Sequence, residues 1–170
     1  LYPTHFEQKI DFTTVRRLLK EKCISTLGAE QVDNIEFSSD YEQVQRLLNQ
    51  TDEMLRVLTT DGEELPIGDF YDVRPALLRV RVEGLFLDEA EVFGLWRALE
   101  AVRKLVSFLT RKEETPYPYL SELLPGTETF PLVIRRIEGL LNKFGKLKDN
   151  ASPELARLRH DIRQVENSAS

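Results

Sequence analysis

One cysteine, one methionine, one tryptophan and two histidines are all that 170 residues hold of those four side chains, which leaves little for redox or imidazole and thiolate metal chemistry. The lone Cys23 excludes an internal disulfide framework and fits a reducing cytoplasm. At an apolar helix position it is expected to be a small core side chain. His5, His160 and Cys23 show no metal-ligand spacing, so no metal site is expected. Neither G-x-x-x-x-G-K-[ST] nor G-x-G-x-x-G occurs, which removes two common backbone cradles for nucleotide phosphates. No cofactor site and no ATP hydrolysis are expected from these residues. Apolar runs extend over only a few residues, and the opening "LYPTHF" has neither a basic n-region nor an apolar h-region. A soluble cytoplasmic protein, not membrane-bound, is the expectation, and the absence of an initial methionine suggests a trimmed boundary.

Positive charge is also scarce. The formal net charge is −6, from 23 basic against 29 acidic residues, and a surface of that sign repels a polyanion at long range. The exception is the end of the chain. Between Lys146 and Glu166, Lys146, Lys148, Arg157, Arg159 and Arg163 outnumber Asp149, Glu154, Asp161 and Glu166 by one.

What is present is helical periodicity. Asp11 is placed to cap "FTTVRRLLKEKC", with Val15, Leu18, Leu19 and Cys23 on one face; Gly28 is expected to interrupt or bend the helical path, and "AEQVDNI" adds a turn or two. Ser39 and Glu42 have the S-x-x-E spacing of a capping box ahead of Tyr41, Val44, Leu48, Thr51, Leu55 and Leu58 at three- and four-residue steps, up to the turn signal Asp61-Gly62. Asp72 is placed to cap a short helix that takes Pro75 in its first turn and stops at Gly84. Asp88 and Glu91 open a long helix whose broad apolar face includes Phe93 and Trp96. "TPYPYL" is a rigid connector. Phe130 to Phe144 is expected to be helical with Gly145 at its C-cap, "KLKDN" is the one plausible extended segment, and Ser152 with Pro153 starts the last helix. The fold class is all-α.

Side chains that could do chemistry have plainer explanations. Glu63-Glu64 flanks a turn, Glu89 and Glu91 sit where a helix dipole favours negative charge, and Glu113-Glu114 lies where a helix ends; a small enzyme using such a carboxylate pair is the least supported reading, and no catalytic residue is assigned. Phe93 and Trp96 fall on an apolar face, which favours core over base stacking. Arg157, Arg159 and Arg163 are the candidates for nucleic-acid contact, with a solvated helix face as the alternative. Leu155, Leu158, Ile162 and Val165 form a narrow seam suited to one partner helix.

"GKLKDNASPELARLRHDIRQVE", the early "CISTLGAE", "LLNQTDEMLRVL" and "LPIGDFYDVRPALLRV" together resemble, in order from about Phe6 to Glu166, the amino-terminal part of the MutS-related recombination suppressors that carry a C-terminal small MutS-related (Smr) nuclease domain. Gly145, Asp149, Ala151, Ser152, Pro153, Glu154, Leu155 and Arg159 match that branch's G-x-x-x-D-x-A-S-P-E-L-x-x-x-R pattern. The resemblance implies a helical core domain over residues 1–150 and the start of a lever helix over residues 151–170. It implies a longer parent whose ATPase domain, with ATP and Mg, and whose clamp and endonuclease domains lie elsewhere. It also implies a homodimeric parent acting on branched or recombining DNA, some members being linked to stalled ribosomes. Two departures stand out: Phe6-Glu7-Gln8 does not reproduce the mismatch-reading Phe-x-Glu, and Ala29-Glu30 follows Gly28 where a basic residue is frequent. The alternative is a free-standing helical adaptor that grips a partner protein through the terminal seam.

Overall fold

The structure is a computed structural model that describes residues 5–59, 65–66, 70–110 and 117–168. The described residues are all-α, with nine helices and one isolated antiparallel bridge, Leu141 to Leu147. The helices are α1 (Phe6–Lys9), α2 (Phe12–Lys22), α3 (Thr26–Asp33), α4 (Tyr41–Thr59), α5 (Arg74–Arg79), α6 (Glu89–Thr110), α7 (Pro118–Ser121), α8 (Pro131–Leu140) and α9 (Pro153–Ser168). No helix among them is long and apolar enough to cross a membrane.

The chain divides into two compact units, residues 1–72 with 103–127, and residues 73–102 with 128–170.

In the first unit, Arg16 ties three helices together. Its guanidinium donates to the Glu7 carboxylate of α1, with Nε to Oε2 at 3.0 Å, and to the carbonyls of Val32 and Ile35 at the end of α3. The hydrogen bond to Arg16 holds the Glu7 carboxyl below its ordinary range. Phe37 packs beside it, 5.7 Å from Phe6 and 5.0 Å from Phe12 between ring centres. A second cluster gathers Val57 of α4, Phe108 of α6, and Tyr117 and Leu120 around α7, with Phe108 and Tyr117 stacked at 5.9 Å. Glu53 of α4, only 3% exposed, is buried too, and its two carboxylate oxygens accept the N–H groups of Tyr119 (3.2 Å) and Leu120 (2.8 Å). Glu53 thus takes up orphan donors at the start of the short α7 from a different helix.

Local signals place most starts correctly and several details differently. Asp88 and Glu91 form the expected reciprocal box: the Glu91 N–H donates to Asp88 Oδ1 (2.8 Å) and the Asp88 N–H to Glu91 Oε2 (2.9 Å). The α4 cap is Asp40 and not Ser39, because Asp40 Oδ1 receives the N–H groups of Glu42 and Gln43. Asp11 stands at the start of α2 in a left-handed conformation with φ 59°, and its carboxylate accepts the Thr14 hydroxyl instead of a backbone N–H. Gly28 does not interrupt a helix. Ser25 caps α3, and the Gly28 N–H donates to its Oγ at 3.0 Å within the first turn. The N-cap position of α5 is taken by Val73 and not Asp72, without a side-chain cap. Cys23 is half-buried at the end of α2, its Sγ donating to the Leu19 carbonyl, so it is no core side chain. The helix expected over Phe130 to Phe144 ends at Leu140, since Leu141 leaves it to pair with Leu147. Asp61-Gly62, Glu63-Glu64 and Glu113-Glu114 lie outside the described residues.

Candidate functional site

The segment from Leu141 to Ser152 joins α8 to α9, and three devices fix it within the second unit. The first is its own turn. Asn142 Oδ1 accepts the N–H groups of Phe144 (2.9 Å) and Lys146 (3.0 Å), and the Asn142 N–H donates to the Lys146 carbonyl at 2.8 Å. Gly145 completes the turn with φ 75°, a conformation that L side chains rarely adopt. A Cβ there would stand 2.5 Å from Cγ of Phe93, so glycine is required for contact with α6 as well as for the turn.

The second device reaches from the start of α6. The Glu89 carboxylate receives the backbone N–H of Leu147 and the ammonium of Lys146, the latter at 3.1 Å. The Leu147 hydrogen bond, followed by that from Lys146, holds the Glu89 carboxyl below its ordinary range. Lys148 reaches the other way, its Nζ donating to the Glu138 carbonyl of α8 at 2.6 Å.

The third device carries the path into α9. Arg159 and Arg163, one turn apart on α9, both donate to Asp149, one guanidinium to each carboxylate oxygen. The hydrogen bonds from Arg163 and then Arg159 hold the Asp149 carboxyl below its ordinary range. Ser152 caps the same helix, accepting the Leu155 N–H at 3.1 Å, with Pro153 at the first helical position. The first turn of α9 is therefore held by its cap and the next two by the fork.

Beside this root lies a cavity of about 340 Å³, lined mainly by Phe93, Trp96, Ile137, Leu141 and Lys148. Phe93 and Trp96 stack with 5.6 Å between centroids.

Of the residues singled out from sequence, Arg159 and Arg163 converge on Asp149, whereas Arg157 is exposed with Asp161 at 3.9 Å. Leu155 is half-buried, and Leu158, Ile162 and Val165 are each more than half exposed. Glu89 and Glu91 do not act as a pair: the first holds Leu147 and Lys146, the second holds Asp88 and Arg79. His160 meets Gln164 within α9. Among the described residues no group of three His, Cys, Asp or Glu is placed to hold a metal ion. The arrangement can orient and restrain a helix.

The roles of Glu89 and Asp149 in that restraint were not legible as function from sequence. Asp149 stands in the matched pattern ten residues before Arg159, which is the one signal pointing to the fork.

No family model matches the chain, and no solved structure matches it. Among curated proteins it is similar to several named "Endonuclease MutS2". The one from Alkaliphilus oremlandii (strain OhILAs) is 30% identical over 154 residues, which is 90% of this chain and 19% of that protein. That from Geobacillus sp. (strain WCH70) is 28% identical over 159 residues, 92% of this chain and 20% of the relative. That from Symbiobacterium thermophilum is 28% identical over 158 residues, covering 93% and 19% respectively. The chain is thus related to proteins named Endonuclease MutS2 over about nine-tenths of its own length, and spans about a fifth of theirs.

Proposed function

We propose that this chain is the helical core and lever root of a longer MutS2-like DNA-processing protein. Its own part is mechanical: α9 is the base of a lever that relays movement between an ATP-binding domain, with its Mg, and a DNA-holding clamp, both encoded elsewhere in the parent. The parent on this reading is a homodimeric ATPase and endonuclease that acts on DNA and suppresses recombination, with the ribosome as a further partner. The observation that carries the reading is the Asp149 fork on Arg159 and Arg163 together with the Glu89 clamp on Leu147. A helix transmits displacement because its backbone hydrogen bonds are internal, and it does so only if its base is held. The similarity to Endonuclease MutS2 proteins supplies the DNA context.

Replacing Asp149 by alanine in the full-length parent tests the reading. Basal ATP turnover is expected to persist while its response to DNA is lost. An unchanged DNA response in a folded variant would refute the coupling role.

A second reading, a helical adaptor, draws on the exposed Leu158, Ile162 and Val165. It differs in predicting that charged residues on this seam abolish capture of a partner protein and leave any DNA response of ATP turnover untouched.

A further inference from the structure

Helix α8 buries one narrow face. Ile134, Ile137 and Leu141, spaced by three and four, are buried. Leu132, Arg135, Arg136 and Gly139 fall on the opposite side, at i, i+3, i+4 and i+7, and all four are exposed. Lys143 and Phe144, also exposed, follow in the turn after the helix.

The arginines of this face differ from those of α9. Arg159 and Arg163 are neutralised by Asp149, and Arg79 by Glu91. Among the described residues the guanidinium groups of Arg135 and Arg136 have neither an ion pair nor a hydrogen bond. From Pro131 to Lys148, Arg135, Arg136, Lys143, Lys146 and Lys148 stand against Glu138 alone, in a chain whose net charge is −6. Lys146 is tied to Glu89 and Lys148 to the Glu138 carbonyl, which leaves Arg135, Arg136 and Lys143 as cations without a carboxylate. Gly139 stands one turn beyond the two arginines. Its φ is not positive, and a Cβ there would meet nothing within 4 Å, so neither the backbone nor the packing of α8 calls for glycine. Glycine weakens a helix against alanine, and what it supplies here is a strip of bare backbone that another chain can approach closely.

We propose that the outer face of α8 and the Phe144 turn bind single-stranded nucleic acid without regard to base sequence. A guanidinium fork matches phosphate geometry and is weakly hydrated, so two of them without counter-ions form a local site for a polyanion on an otherwise acidic chain. Gly139 lets a sugar-phosphate backbone lie against the helix on its way from Arg135 and Arg136 to Lys143. Phe144 separates nucleic acid from an acidic peptide. Its ring is 73% exposed, with Lys143 Nζ 5.0 Å from the centroid, and its backbone is held in place by the N–H donated to Asn142 Oδ1 at 2.9 Å. An exposed ring beside a phosphate-binding cation is a stacking platform for an unpaired base, whereas the bases of a duplex are already stacked on each other. The inference goes beyond the proposed function, which puts DNA on domains encoded elsewhere in the parent, and does not rest on the lever reading.

The test is fluorescence anisotropy of labelled oligonucleotides of about 20 nucleotides, oligo-dT, oligo-U and a DNA duplex of equal length, titrated at low salt with this chain. Both single strands are expected to bind alike and more tightly than the duplex, with log Kd rising by about 2 per tenfold increase in salt, the value for three phosphate contacts. Arg135→Glu with Arg136→Glu is expected to weaken binding at least ~10-fold, and Phe144→Ala to weaken single-strand binding ~5-fold or more while leaving duplex binding unchanged. Lys22→Glu with Arg157→Glu makes the same change in net charge on α2 and α9, and is expected to cost much less. Every substituted position is exposed, and unchanged circular dichroism verifies folding. No single-strand binding would overturn the proposal and leave the arginines to an acidic protein segment, and equal losses in the two glutamate pairs would overturn the surface. Duplex bound as tightly as single strand, Phe144→Ala without effect, or a preference for one sugar of more than ~10-fold would overturn recognition by backbone charge and stacking.

Discussion

The backbone N–H of Leu147, between α8 and α9, ends on the carboxylate of Glu89 in the first turn of α6, 58 residues earlier. Glu89 therefore does for the root of α9 what a helix cap does for its own helix, across a long chain separation. The same logic recurs in the first unit, where Glu53 of α4 receives the N–H groups opening α7 from 67 residues away.

Removal of the first clamp should loosen the turn and not the fold. Glu89→Ala is expected to speed hydrogen exchange at the Leu147 amide by ~10-fold or more through local opening, with much smaller changes in the α2 and α4 amides. Glu89→Gln keeps an acceptor and should fall between. Amide exchange followed by NMR measures both.

The buried clamp is a matter of stability. Glu53→Ala orphans two N–H groups and leaves a void, and should cost about 3 kcal/mol or more, whereas Glu53→Gln, which keeps one acceptor oxygen, should cost about 1–2 kcal/mol. Urea titration of both variants gives the comparison, and equal losses would show that the carboxylate's hydrogen bonds are not what matters.

Two glycines with similar positive φ separate strain from crowding. Gly84 has φ +83° and open space around an added Cβ, while Gly145 has φ +75° and Phe93 at 2.5 Å. Gly84→Ala should cost about 1–2 kcal/mol for the left-handed conformation alone. Gly145→Ala carries the same strain plus the collision, and its melting temperature should fall further by at least ~4 °C, given about 2–4 °C per kcal/mol for a chain of this size.

Acid should act on the root in one direction. Glu89 and Asp149 both have carboxyls held below their ordinary range in the folded state, by Leu147 and Lys146 in the one case and by Arg163 and Arg159 in the other. Their stabilising contribution is fully present above the ordinary carboxylate range near pH 4 and is lost as pH falls through the depressed folded-state values. Urea midpoints are expected to be level from pH 7 to about 5 and to drop below it, with a shallower drop in Glu89→Gln/Asp149→Asn.

Helix starts were legible because their signals are local. Asp88 with Glu91, and Ser152 with the Leu155 N–H, satisfy backbone groups within one turn, while Pro153 at the first helical position needs no partner for an N–H it lacks, so three or four letters contain the whole interaction. The α4 cap stands one residue from its expected place: Ser39 and Asp40 both carry suitable oxygens, and it is Asp40 Oδ1 that receives the Glu42 and Gln43 N–H groups. The end of α8 differs from expectation because Leu141 pairs with Leu147 in a turn shaped by Asn142 and by Phe93 of another helix. The clamps of Glu89 and Glu53 were invisible for the same reason: residues 58 and 67 positions apart become neighbours only once the helices pack. The Arg159 and Arg163 pair was legible as a pair, but not its tie to Asp149.

The central claim is that α9 is held at its base by Asp149 and the turn before it. Spin labels at Arg136→Cys on α8 and Gln164→Cys on α9, in a Cys23→Ser background, report this directly through their pulsed electron-electron distance distribution. The account predicts one narrow distribution that broadens on Asp149→Ala while circular dichroism stays unchanged. A distribution already broad with Asp149 in place, or one that Asp149→Ala leaves narrow, would contradict it.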